Sequence, residues 1–256
     1  MEYAVCIVPI AAVRSMPDHK AEMTSQLLFG ECCTITELPK NGFVKIAVKA
    51  DGYEGWCQQQ HFAAIDWETY NLPPLLLAAG RENILLCRDS DMHIPFGSSL
   101  TSLKNGKLSF ENNVFEYSGK TWDVTEVKRS ETVIKEIAAH FLNTPYLWGG
   151  RSIFGTDCSG FTQMVYKFLN VPLQRDARQQ ALQGVTVDFL QQAQCGDLAF
   201  FDNEDGEIIH VGLLLNNAEI IHASGKVQVD DIDTGGIITR TTGIRTQKLR
   251  IIKRYF

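Results

Sequence analysis

A cysteine set at the opening of an apolar helix constrains this chain more than any other feature. Cys158 lies in Thr156-Asp157-Cys158-Ser159-Gly160-Phe161, just behind the turn-rich run Tyr146-Leu147-Trp148-Gly149-Gly150. Phe161, Met164, Val165, Phe168 and Leu169 then recur at helical spacing, and Asn170-Val171-Pro172 closes the pattern. The spacing predicts a helix whose first turn carries the thiol. Unpaired N–H groups at a helix start favour negative charge, and the thiolate is the nucleophilic form of cysteine. The chain therefore reads first as a cysteine enzyme.

The other six cysteines, Cys6, Cys32, Cys33, Cys57, Cys87 and Cys195, show no CxxC pair, and the total of seven is odd. That pattern argues against a disulfide framework or a tetrahedral zinc site, and these thiols read as small buried hydrophobes. Free thiols suit a reducing compartment. The first residues, Met1-Glu2-Tyr3-Ala4-Val5-Cys6, have no basic, apolar and small-residue succession of an export signal, so the expected location is cytoplasmic. A net charge of −6 offers no support for a nucleic-acid partner. No run of 18 apolar residues is present to span a membrane.

Two textures divide the chain. Up to about residue 127, short β-like runs alternate with turns: Tyr3–Pro9, Glu31–Glu37, Phe43–Val48, Gly55–Cys57, Asn83–Cys87 and Lys107–Phe110. Such runs suggest two small barrels, over 1–66 and 67–127, joined near Leu72-Pro73-Pro74. Residues 128–256 begin with a helix capped by Ser130 and followed by the Cys158 helix. A short helix from Ala177 comes next, then runs at Asp197–Phe201, Glu207–Leu215, Glu219–Ala223 and Gln247–Arg254. Helices followed by strands predict an α+β domain with an antiparallel sheet.

A thiolate nucleophile needs a base, and the base needs an orienting group. His210 lies in Ile208-Ile209-His210-Val211-Gly212 and His222 in Ile220-Ile221-His222-Ala223-Ser224. Each ring reads either as a satisfied core histidine or as part of a catalytic set. Strand geometry distinguishes these, because side chains alternate between faces. A two-residue Asn216-Asn217 turn, which Asn-Asn favours, pairs Val211 with His222 and turns the rings to opposite faces. A three- or five-residue loop pairs Gly212 with His222 and brings both rings to one face. The catalytic reading requires the odd loop.

These residues resemble the NlpC-type cell-wall cysteine peptidases of the papain-like superfamily. The resemblance rests on Tyr146-Leu147-Trp148-Gly149-Gly150, Asp157-Cys158-Ser159-Gly160-Phe161, Gly196-Asp197-Leu198-Ala199-Phe200-Phe201, His210-Val211-Gly212 and Ile221-His222-Ala223-Ser224. It implies a papain-like catalytic domain with Cys158 as nucleophile, His210 as base and His222 as the orienting third residue. It implies no metal and no cofactor. Met16-Pro17-Asp18, Gln26 through Glu31 and Gly55-Trp56 resemble a bacterial SH3-like barrel.

With Gln174-Arg175-Asp176-Ala177-Arg178-Gln179-Gln180, the barrels resemble the γ-D-glutamyl-L-diamino acid endopeptidases, which act on peptidoglycan stem peptides with a free N-terminal L-Ala. That likeness implies Asp176 as partner of the substrate ammonium and Tyr146 as its support. It further implies Trp148 and Ser159 as substrate contacts, and Glu22 and Tyr53 as candidates for the wall that closes the substrate's amino end. Read without the likeness, Asp176 is equally a helix N-cap or a surface partner of Arg175 or Arg178. Ala177 stands where relatives carry serine. Rival readings are an inert wall-binding module and an acyltransferase on the same fold. A zinc site built on Cys158, His210 and His222 would lack a fourth ligand.

Overall fold

A computed structural model describes residues 2–88 and 90–256. It contains two compact units, one running to Val127 and including Trp148–Ser152, the other comprising Lys128–Leu147 and Ile153–Phe256.

The first unit opens with strands β1 (Tyr3–Cys6), β2 (Ile10–Arg14), β3 (Met23–Leu28), β4 (Cys32–Lys40), β5 (Phe43–Val48), β6 (Glu54–Gln58) and β7 (Phe62–Ile65). They form one sheet in the order β3-β2-β6-β5-β4-β1-β7. Alternating residues bury Ala4, Cys6, Val13, Leu27, Cys33, Ile46 and Cys57 in one core. Cys6, Cys33 and Cys57 thus fill space as small apolar groups, and burial pushes all three thiols well up.

Helix α1 (Trp67–Asn71), capped by Asp66, leads to β8 (Leu76–Ala78), β9 (Ile84–Leu86), β10 (Asp91–His93), β11 (Lys107–Phe110), β12 (Asn113–Tyr117) and β13 (Thr121–Asp123). These six strands fall into a four-stranded sheet, β10-β9-β12-β11, and a ribbon, β13-β8. Their core is shared with the preceding strands: Val5, Phe29 and Ala63 pack with Leu85, Leu108, Phe115 and Tyr117. The unit ends with β14 (Arg151–Ser152). Arg151 is buried there and forms a two-pronged ion pair with Glu31, at 2.8 and 3.1 Å.

In the second unit, Ser130 caps α2 (Glu131–Ala139), as its position predicts. Strand β15 (Gly155–Thr156) precedes α3 (Cys158–Phe168), nearly all of which is buried. Asn170, at φ 55°, ends it in the left-handed conformation that asparagine tolerates. Helix α4 (Ala177–Gln180) and β16 (Val185–Val187) follow. The remaining strands are β17 (Leu198–Asp202), β18 (Ile208–Leu214), β19 (Glu219–Ser224), β20 (Lys226–Asp233), β21 (Gly236–Ile238) and β22 (Arg245–Arg254).

All pairings among these strands are antiparallel, as expected, but the sheet curls further than its sequence indicates. Strands β17 to β22 run in order and β21 pairs back onto β22, closing a six-stranded barrel with β16 attached outside. Closure depends on Gly236: a Cβ there would lie 1.7 Å from the Gln247 carbonyl oxygen, and its φ is +126°. One strand face, carrying Ala199, Phe201, Leu214, Ile220, Ile232, Ile237 and Ile252, forms a continuous core. Among the described residues no helix is long and apolar enough to cross a membrane.

Candidate active site

The nucleophile helix is held at its first turn by charge. Asp157 caps α3 by accepting the Gly160 N–H at 2.7 Å. Arg175, only 1% exposed, grips the same carboxylate with two nitrogens, at 3.1 and 2.6 Å, and donates to Ser159 Oγ at 2.9 Å. Sequence reasoning considered Arg175 as a surface partner of Asp176; the structure buries it and gives it Asp157 instead. No local signal marks this, because the pairing joins residues 18 positions apart. The Ser159 hydroxyl, expected to meet substrate, belongs to this network.

The histidines come together as the odd-loop reading requires. Leu215 N–H bonds to the Glu219 carbonyl at 2.9 Å, leaving Asn216, Asn217 and Ala218 as a three-residue loop. Leu213 pairs with Ile221 and Leu214 with Ile220, so the extended register sets Gly212 across from His222. The asparagines do not make the two-residue turn; instead Asn216 Oδ1 accepts the Ala218 N–H at 2.8 Å within the loop. A Cβ on Gly212 would meet the His222 Cβ at 2.9 Å, so glycine there lets the two strands carry both rings. His210 Nε2 lies 2.8 Å from His222 Nδ1. Both rings share the face of Leu214 and Ile220.

Sequence reasoning missed Asp230. His222 Nε2 lies 3.0 Å from Asp230 Oδ2, and both residues are almost fully buried. Asp230 also accepts from Gln228 Nε2 at 2.8 Å and from the Arg240 backbone N–H at 2.9 Å. The available signal was periodicity. Gln228 lies opposite His222, and Asp230, two residues on, shares its face. With both nitrogens of His222 engaged, the ring is not arranged as a zinc ligand.

The Cys158 sulfur is 7% exposed by residue and lies against the backbone N–H groups of Val211 and Ser159. Its ionisation differs from the sequence expectation. Burial pushes the thiol up to about 12, with the Asp157 charge adding to it, and outweighs the Val211 N–H, the Ser159 N–H at the helix start and Arg175. Burial, helped by His222, lowers His210 to about 3. Burial thus favours the uncharged form of each group. Burial raises Asp230, but hydrogen bonds from His222, the Arg240 backbone and Gln228 prevail and hold it down at about 2.

Tyr146 stands near Cys158: burial first, then the charges of Cys158 and Asp157, push its phenol up to about 12. Asp176 is the N-cap of α4, and its own N–H is accepted by Gln179 Oε1 at 3.2 Å. In the first unit, Trp148 Nε1 donates to Glu22 Oε1 at 2.7 Å, joining two residues named from sequence. Tyr53 packs half-buried against the β1–β7 core.

A cysteine at a buried helix start, a histidine on an adjoining strand and a second, acid-anchored histidine define a papain-like cysteine peptidase. Residues 143–246 match the NlpC/P60 family and residues 13–62 the bacterial dipeptidyl-peptidase Sh3 domain. The chain thus carries an NlpC/P60 domain, with an SH3-type domain ahead of it in sequence.

It is 28% identical over 258 residues to the gamma-D-glutamyl-L-lysine dipeptidyl-peptidase of Bacillus cereus, covering 88% of this chain and 75% of that one. It is 26% identical over 260 residues to dipeptidyl-peptidase 6 of Lysinibacillus sphaericus, covering 90% and 92%. The gamma-D-glutamyl-L-lysine dipeptidyl-peptidase of Bacillus subtilis is 38% identical over 137 residues, covering 52% of this chain and 44% of that one. The crystal structure of an NlpC/P60 family protein from Bacillus cereus ATCC 10987 shares the fold, with a TM-score of 0.80 over 99% of both chains at 22% identity.

Proposed function

We propose that this peptidase cleaves the bond between D-Glu and the diamino acid of peptidoglycan stem peptides that begin with a free L-Ala, releasing L-Ala-D-Glu. The observation that carries the chemistry is the hydrogen-bonded His210–His222 pair beside a thiol held on the Val211 N–H. The substrate class rests on the likeness to relatives named gamma-D-glutamyl-L-lysine dipeptidyl-peptidase and dipeptidyl-peptidase 6 over most of this chain.

With Nε2 of His210 facing His222, Nδ1 is the nitrogen that exchanges a proton with Cys158. The proton passes to Nδ1 as sulfur bonds to the γ-carbonyl carbon. Backbone N–H groups at the α3 start stabilise the oxyanion. The C–N bond then breaks, and His210 protonates the leaving amine. Water, deprotonated by His210, next splits the thioester and restores the thiol. In this reading Asp176, supported by Tyr146, receives the substrate ammonium, because an ammonium leaving water needs a carboxylate. Ser159 acts at the start of α3. Glu22, Tyr53 and Trp148 are recognition residues of the first unit.

The test is hydrolysis of L-Ala-γ-D-Glu-L-Lys, free and N-acetylated, and of the diaminopimelate analogue. Cleavage of the free forms alone is the expected result. Equal cleavage of the acetylated peptide overturns the amino-end reading. Binding without turnover overturns the peptidase reading in favour of an inert module, and transfer of the acyl group to an added amine rather than water indicates an acyltransferase. The free thiols motivate a further proposal, that the protein recycles wall fragments in the cytoplasm. Recovery of the native protein outside the membrane on cell fractionation would refute it.

A further inference from the structure

We propose that Asp230 is a positioning residue that sets the tautomers of both active-site histidines, through His222, so that His210 presents a bare Nδ1 to the thiol. An ionised carboxylate only accepts hydrogen bonds, so the His222 nitrogen facing Asp230 Oδ2 at 3.0 Å, Nε2, carries a proton. While His222 carries that one proton, its Nδ1 is an acceptor. His210 Nε2, 2.8 Å away, must then be the donor. That leaves Nδ1 of His210 with its lone pair, as a general base requires. Asp230 is itself oriented, since the Arg240 backbone N–H holds Oδ1 at 2.9 Å and the Gln228 amide holds Oδ2 at 2.8 Å. When His210 becomes an imidazolium, its Nε2–H still points along the same chain toward the buried carboxylate, which keeps its charge and takes no proton.

This inference rests on His210 acting as the base, and the experiment separates the two. Asp230→Asn is nearly isosteric, but its amide cannot face either way. The Arg240 N–H fixes the oxygen end, so the NH₂ end faces His222 and the Gln228 amide turns to accept. His222 Nε2 then becomes an acceptor, its proton moves to Nδ1, and His210 is forced to carry its proton on Nδ1.

On the free tripeptide, kcat for Asp230→Asn should fall about 10³–10⁴-fold with KM within about twofold, the scale on which a wrong tautomer acts in a serine triad. Asp230→Ala, which imposes no tautomer, should retain more activity than Asp230→Asn. Nitrogen NMR of labelled histidine rings should find both rings as Nε2–H tautomers in the wild-type protein, and His210 as Nδ1–H in Asp230→Asn. Asp230→Asn equal to wild type, or less damaging than Asp230→Ala, overturns the proposal. So does an Nδ1–H tautomer of His210 in the wild type, a reading that needs no variant to fold. Full activity in Cys158→Ala or His210→Ala would instead refute the catalytic reading itself.

Discussion

Burial at Cys158 and His210 works against a standing thiolate–imidazolium pair. Burial favours the uncharged form of both partners, raising the thiol to about 12 and depressing His210 to about 3. Below the thiol's own titration, the thiolate fraction grows tenfold per pH unit. Alkylation of Cys158 by iodoacetamide, followed at the Cys158 peptide by mass spectrometry, should therefore climb about tenfold per unit from pH 6 to pH 9. A rate already level at pH 6 would indicate a preformed ion pair. Cys158→Ala should abolish turnover, measured as dipeptide release from the free tripeptide, since without the sulfur no thioester forms for water to split.

At the scale of single elements, the start of α3 depends on one buried ion pair. Arg175→Met leaves the Asp157 carboxylate without its guanidinium partner inside the protein, which should cost about 3–5 kcal/mol in urea unfolding. Adding Asp157→Asn removes the stranded charge while keeping an N-cap oxygen, so the double variant should recover most of that loss. A single variant as stable as the wild type would show that the pair does not hold the helix.

The β18–β19 hairpin makes a related point about register. Its sequence permits either loop length, and a one-residue difference would separate the two rings onto opposite faces. The three-residue loop is selected by the face it buries. Leu214 and Ile220 enter the same core only in that register, and His210 and His222 follow them.

Across the whole molecule, the two runs of strands ahead of the peptidase unit share a core rather than packing as separate beads. Phe29, from the β3–β4 corner, lies 5.1 Å from Phe115 and 6.3 Å from Phe110, ring centre to ring centre. Phe29→Ala should cost about 3–5 kcal/mol. Hydrogen exchange should show β1, β4, β11 and β12 losing protection together, because each borders the emptied site. Loss confined to β1–β7 would show two independently folding pieces. Glu31→Ala tests the same unit by another route, since it leaves the Arg151 guanidinium buried without its carboxylate.

Local pattern alone determined much of this protein. Ser130 and the apolar spacing behind Cys158 mark where both helices begin, although the first ends at Ala139, short of the expected Asn143-Thr144-Pro145, and Phe43–Val48 and Lys107–Phe110 match their strands. Caps and periodicity are short-range, so they survive in the linear chain. β20 and β21 escaped notice because Lys226-Val227-Gln228-Val229-Asp230-Asp231-Ile232-Asp233 is rich in charge and Gly236–Ile238 is short. They become strands by closing a barrel. Only the tertiary structure decided that Arg175 is internal, that Asp230 lies behind His222, and that burial opposes ionisation of the thiol. Those properties depend on burial and on neighbours brought together through space, which no run of adjacent residues encodes.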